Sequence, residues 1–184
     1  SGEFGVLGHG TDGKTLEKAG KFTFALEKKP RLVEAVGGED IIAVASGLLH
    51  SVCMDGEGKL WSWGFNGQGQ LGHGDGILSN IGHFTKKPAH HLEPKVVEAL
   101  RGVRVVAIAA GQSHSMVLTD EGAVLSFGNG DFGQLGHGDE EHKYEPKVIE
   151  ALRGVRVVAI AAGRAQHSLV LTEEGTVLSF GVGG

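Results

Sequence analysis

The chain has 184 residues, 40% of them hydrophobic and 32 of them glycine, with 17 Lys+Arg against 22 Asp+Glu and a net charge of −5. That length fits a single core-sized domain, and the acidic balance, with no basic run denser than Lys28-Lys29 or Lys86-Lys87, disfavours nucleic acid, whose phosphates need clustered Lys and Arg. Cys53 is the single cysteine, which excludes an internal disulfide and leans towards an intracellular compartment, cytoplasmic or nuclear, and no apolar run approaches the ~18 residues of a membrane span.

In chain order, residues 1–10 (SGEFGVLGHG) form a glycine-rich loop and 11–29 a long, charged connection. Residues 30–36 (PRLVEAV) read as an outer strand, with proline at its first position, where no ladder donor is needed. Residues 41–46 (IIAVAS) are a continuous apolar run, which predicts a strand buried on both faces. A strand over 51–54, a turn at Asp55-Gly56-Glu57-Gly58 and a return strand over 59–63 follow, the turn glycine supplying positive φ. A glycine-rich passage leads to Asp75, and a second long loop, 75–93 (DGILSNIGHFTKKPAHHLE), precedes the next copy of the same order. Loops of this length are often functional, so Lys86, Lys87, His90 and His91 are candidate partner-binding residues. Residues 96–100 and 148–152 contain good helix formers but are read as strand or irregular. No long helix is predicted, and the class is all-β with about four short strands per copy.

The copies are in tight register. His50, His114 and His167 each stand 8 residues before a turn glycine (Gly58, Gly122, Gly175), and each turn glycine 6 before another (Gly64, Gly128, Gly181). Gly47, Gly111 and Gly163 each follow a proline (Pro30, Pro94, Pro146) by 17. The Gly-Gln-Leu-Gly endings Gly69, Leu71, Gly72 and Gly133, Leu135, Gly136 align too, and Gly5 aligns with their first glycines. The units are 1–64, 65–128 and 129–181, with 182–184 starting a fourth. A repeated glycine pattern is architecture before it is chemistry.

The signature glycine, the His-Ser pairs (His50-Ser51, His114-Ser115, His167-Ser168), the Gly-x-Val/Leu-x-x-Trp/Phe-Gly strand and the Gly-Gln-Leu-Gly ending resemble the repeat of the regulator-of-chromosome-condensation family of β-propellers. The resemblance covers nearly the whole chain. It implies blades of four antiparallel strands, seven to a ring, of which this chain supplies three: a partial propeller. It also implies a protein-interaction scaffold that is not itself an enzyme. Family members include exchange factors that wedge open a small GTPase, although no wedge matches here residue by residue. Others carry ubiquitin-ligase domains, which would make the propeller a substrate recruiter. A plant UV-B photoreceptor of the family places tryptophans beside the signature glycine; those places hold Leu48, Gln112 and Arg164, so photoreception is not implied. Three blades leave two sheet faces without a neighbour. Burying ~400 Å² on each is worth about 10 kcal/mol, so the isolated chain is expected to self-associate or to need further blades.

Three motifs invite catalytic or cofactor readings. Gly8 to Thr15 (GHGTDGKT) has the spacing of a phosphate-binding loop, but the repeat loop precedes it where a buried strand is required, so nucleotide binding is the outside reading. Gly67 to Gly72 (GQGQLG) has dinucleotide-fingerprint spacing, yet HGDGILSN after it does not start a helix. Six of the 10 histidines (His9, His73, His137, His50, His114, His167) recur with the repeat and are read as hydrogen-bonding ties between blades. His83, His90 and His91 lack Cys partners and helical metal spacing. Trp61 and Trp63 are read as packing residues. No catalytic residue, metal ligand or cofactor is assigned.

Overall fold

The computed structural model describes residues 5–10, 14–16, 22–24, 27–76 and 90–183. Three antiparallel sheets follow one another along the chain. The first has the order β3 (Ile41–Ser46), β4 (His50–Asp55), β5 (Leu60–Phe65), β6 (His90–Val96). The second repeats it with β7 (Val105–Ala110), β8 (His114–Thr119), β9 (Val124–Gly128), β10 (Lys143–Val148). The third has β11 (Val157–Gly163), β12 (His167–Thr172) and β13 (Val177–Gly181). The innermost strands β3, β7 and β11 are neighbours in sequence order, and the sheets stack face to face as propeller blades do.

The hairpins form because their corners are chemically specified. Gly58, Gly122 and Gly175 take φ near +85 (+87, +84, +83). Asp55 Oδ1 accepts the N–H groups of Glu57 and Lys59 at 3.0 and 2.9 Å, and Thr119 and Thr172 Oγ1 do the same work for the N–H groups of Ala123 and Thr176. Strand alternation then sends residues to opposite sheet faces. Met54 and Leu60 pack against Val117, Leu125 and Phe127 between the first two sheets. Met116, Leu118 and Val124 pack against Val157 and Val170 between the second and third.

The outer strands differ from the sequence expectation. Residues 30–33 carry no strand, and Glu34–Val36 is one turn of 3-10 helix, as are Glu98–Leu100 and Glu150–Leu152. The strands lie earlier, in β6 and β10, and each contains its proline at an irregular stretch of the ladder, where a missing N–H is tolerated. Each outer strand pairs with the third strand of its own sheet, β6 with β5 and β10 with β9. Among the described residues no such strand precedes residues 27–33, which carry no strand themselves. The helical turns have a packing reason: Val97 N–H closes onto Leu60 O at 2.9 Å, and the turn then tucks Leu100 into the core between sheets.

Two further differences concern burial and the first long connection. The apolar inner runs are not buried throughout: Val44, Val106 and Val158 are exposed. Within 11–29 a small hairpin forms between β1 (Lys14–Leu16) and β2 (Phe22–Phe24), which the charge pattern concealed.

Candidate functional site

The repeated histidines join neighbouring blades. His50 Nε2 lies 2.9 Å from Ser115 Oγ, and His114 Nε2 lies 3.0 Å from Ser168 Oγ. Each serine spends its one proton on a carbonyl, Gln70 O and Gln134 O, both at 2.8 Å. The serine oxygen therefore accepts, and each histidine donates through Nε2–H. Nδ1 then carries a lone pair, and His50 and His114 Nδ1 are buried with no polar partner. The rings lie on the signature glycines: a Cβ at Gly47, Gly111 or Gly163 would run into the ring of His50, His114 or His167. The glycine and the histidine are thus one device. Burial, with the neighbouring histidine adding to it, pushes His50 down to about 3 and His114 to about 4, so both are neutral donors at neutral pH.

A second set of rungs fastens the glycine-rich loops. Ser62 Oγ donates to Leu71 O at 2.7 Å and receives His73 Nε2–H at 3.0 Å, and Ser126 does likewise with Leu135 O and His137. Gly72 and Gly136 lie against Phe127 and Phe180, and Gly8 against Trp63, whose Nε1–H donates to Val6 O at 3.0 Å. Gly64, Gly128 and Gly181 (φ +104, +109, +107) take a conformation that the carbonyls facing them would deny to any side chain. Gly69 sits on the backbone of Tyr144. Trp61 and Trp63 are buried, as expected. Ser62 and Ser126 were missed as rung residues, although their register with Ser179 was visible.

The tempting motifs resolve into architecture. Lys14 and Thr15 open a strand, so the helix whose N-terminus would hold phosphate is not there. Gly67 to Gly72 forms turns in which Asn66 Oδ1 accepts Leu71 N–H at 3.0 Å. No group of three metal-ligating side chains occurs among the described residues. Lys86, Lys87 and His83 lie outside the described residues. His90 and His91 fall in β6, and His91 Nε2 sits 3.2 Å from Asp75 Oδ2, beside His73. In the second sheet Lys143 takes that position and reaches Asp139 at 2.9 Å. His91 is therefore half of a clasp that joins Asp75 to β6.

The positions that differ between copies also come together. Leu48, Gln112 and Arg164, each next to a signature glycine, line one cavity of about 360 Å³ with Ser46, Ala110 and Ala162. Leu48 N–H donates to Gln112 O at 3.2 Å, tying the two loops across blades.

Stacked antiparallel sheets of four, four and three strands joined by His–Ser rungs define a β-propeller of repeated blades. The chain belongs to the regulator of chromosome condensation (RCC1) repeat family, whose pattern matches residues 57–118 and 121–171 and, in a second form, 41–70 and 105–134. It is 40% identical over 178 residues to the human E3 ubiquitin-protein ligase HERC2, covering 96% of this chain and 3% of HERC2. It is 36% identical over 183 residues to the ultraviolet-B receptor UVR8 of Arabidopsis thaliana, covering 99% of this chain and 36% of UVR8. Among solved structures it resembles yeast RCC1 (Prp20) bound to Kap60, with TM-score 0.73 and 26% identity over 98% of this chain and 38% of that one. It also resembles Prp20p of Saccharomyces cerevisiae in a structure reported with its binding properties to Gsp1p and histones, with TM-score 0.65 and 26% identity over 79% of this chain and 34% of that one.

Proposed function

We propose that the chain is a non-catalytic scaffold module that binds another protein through the rim carrying Leu48, Gln112 and Arg164. One observation carries this reading. The positions shared by the copies are consumed by the architecture as rungs, turns and packed glycines, whereas these three differ and line a common open cavity. An apolar, an amide and a cationic group around about 360 Å³ suit a peptide segment that presents an apolar and an acidic side chain. Rigid blades holding loops that vary are the usual setting for recognition.

Two narrower readings rest on likeness. The resemblance to HERC2 supports a substrate-recruiting role within a ubiquitin ligase. The resemblance to Prp20p, reported with its binding properties to Gsp1p and histones, supports a small GTPase as partner. An intracellular setting is supported by the single, buried thiol of Cys53.

The test places a photo-crosslinking residue at position 48, 112 or 164, and as a control at Leu32, in the protein expressed in its own cells. The expected result is a defined crosslinked protein from the first three sites, and its loss from positions 48 and 112 with Arg164→Glu. Crosslinks from position 32 alone, or none from the rim, overturn the proposal.

A further inference from the structure

We infer that the groove at the joint between the first and second sheets, on the side of the hairpin tips, is a docking site for an acidic peptide segment. It lies at the strand ends opposite Leu48, Gln112 and Arg164, and it stands without the rim reading.

The joints between consecutive sheets form the same groove twice. The hairpin tip of the leading sheet makes one wall. The segment that runs through the 3-10 turn into the next inner strand makes the other. The groove encloses about 480 Å³ at the first joint and about 370 Å³ at the second. Leu60, Val97 and Leu100 are buried beneath the first, and Val124 and Ile149 beneath the second. The charged side chains on the walls are Lys59, Arg101 and Arg104 against Glu57 at the first joint, and Arg153 and Arg156 against Glu121 at the second.

Residues 100–110 and 152–162 are identical (LRGVRVVAIAA), so both grooves receive the same arginines. They differ in what answers those arginines. Arg156 Nε lies 3.6 Å from Glu173 Oε1, and its side chain leans over the hairpin tip, where a Cβ at Gly122 would meet its Cγ at 2.9 Å. The counterpart of Glu173 at the first joint is Asp120. The backbone contact is kept: Asp120 N–H donates to Arg104 O at 3.1 Å, and Glu173 N–H to Arg156 O at 2.9 Å. The aspartate side chain is one methylene shorter, and Arg104 has no ionic partner among the described residues. The first joint also carries Lys59 where the second has Ala123. Lys59 Nζ lies 3.6 Å from Glu39 Oε1 and 4.3 Å from the centre of the Trp61 ring. Arg101 pairs with Glu98 at 2.8 Å, as Arg153 does with Glu150. Exposed pairs of this kind are weak, so they yield to an incoming carboxylate.

The first groove therefore holds an unanswered guanidinium on one wall and an ammonium on the other, above an apolar floor. A carboxylate fits that arrangement: the guanidinium offers planar, bidentate donors and the ammonium a point charge. Glu57 on the wall and the net charge of −5 oppose a polyphosphate chain, which needs clustered cations. The matching occupant is an acidic peptide.

The test titrates the full chain into a fluorescein-labelled peptide of alternating Glu and Ala, with a Gln–Ala peptide as control, and reads anisotropy at low ionic strength. The Glu peptide should bind, the Gln peptide should not, and salt should weaken the complex. Arg104→Gln should weaken binding about 10-fold, the loss of one charge-assisted contact, and Arg156→Gln should leave it unchanged. Asp120→Glu preserves the net charge and supplies the first joint with the glutamate that the second has. It should weaken binding about 5-fold by occupying Arg104 internally. Circular dichroism checks that each variant is folded; all three positions are exposed. Failure of the Glu peptide to bind, equal binding of the Gln peptide, equal effects of Arg104→Gln and Arg156→Gln, or full binding by Asp120→Glu overturns the inference. So does a single-stranded oligonucleotide that binds at Arg104 more tightly than the Glu peptide.

Discussion

Ser115 makes two hydrogen bonds with one proton, and that arithmetic sets the protonation of its partner. It donates to Gln70 O, so it accepts from His50, which must carry a proton on Nε2, and burial keeps that ring neutral. The pH dependence of stability follows. Above about pH 6.5 the histidines are neutral in both folded and unfolded chains and contribute no slope. As the pH falls below that, the unfolded chain takes up protons that the folded chain refuses at His50 (about 3), His114 (about 4) and His73 (about 4). Stability therefore declines between about pH 6.5 and 3 and levels off below, the sign expected where the unfolded state binds more protons. His114→Gln should flatten that decline by up to ~1.4 kcal/mol per pH unit, read from urea midpoints between pH 4 and 7. An unchanged slope would show that His114 is protonated without penalty. The sequence disclosed these residues because they recur in register, but it could not disclose the direction of the bond. His50 and Ser51 are adjacent in the chain, yet the working pair is His50 with Ser115, 65 residues apart.

At the scale of the element, the β4–β5, β8–β9 and β12–β13 hairpins were legible because aspartate or threonine and a turn glycine mark each corner. The outer strands were not. The best helix formers in each repeat sit just after the strand, and the strand itself includes a proline, so local propensity argued against both assignments. Pairing with the third strand of the same sheet decided the outcome, and residues 27–33, with no such strand before them among the described residues, carry none. The turn glycines allow the contact between blades to be weighed separately from backbone conformation. Gly58 and Gly175 share φ near +85 (+87 and +83), but a Cβ at Gly58 would come within 2.7 Å of Val105 N, and one at Gly175 would meet nothing. Measured where the chain is monomeric, Gly175→Ala should cost about 1–2 kcal/mol, the left-handed penalty alone. Gly58→Ala should cost about 1–3 kcal/mol more from overpacking. Equal losses would mean that the hairpin tip adds nothing to the joint between sheets.

At the scale of the molecule, stability in a stack of repeats is close to a sum of units and nearest-neighbour contacts. The middle sheet has a neighbour on each face, and every residue of β8 and β9 is buried, whereas β12 alternates with exposed positions. Hydrogen exchange should therefore be slow in β8 and β9 and measurably faster in β12, although HSMVLT and HSLVLT are nearly one sequence. Equal protection would show that each sheet holds itself together without its neighbours.

The sequence by itself determined the number of repeats, the order of the inner strands, the corners, and the recurrence of the His-Ser pairs. These are short-range or periodic features, and threefold repetition makes them visible. Only the tertiary structure decided which histidine meets which serine, where the outer strand begins, and that Leu48, Gln112 and Arg164 share a cavity. Each depends on how one sheet lies on the next. The same residue type at the same register is core in the second sheet and surface in the third, a difference that no local pattern carries.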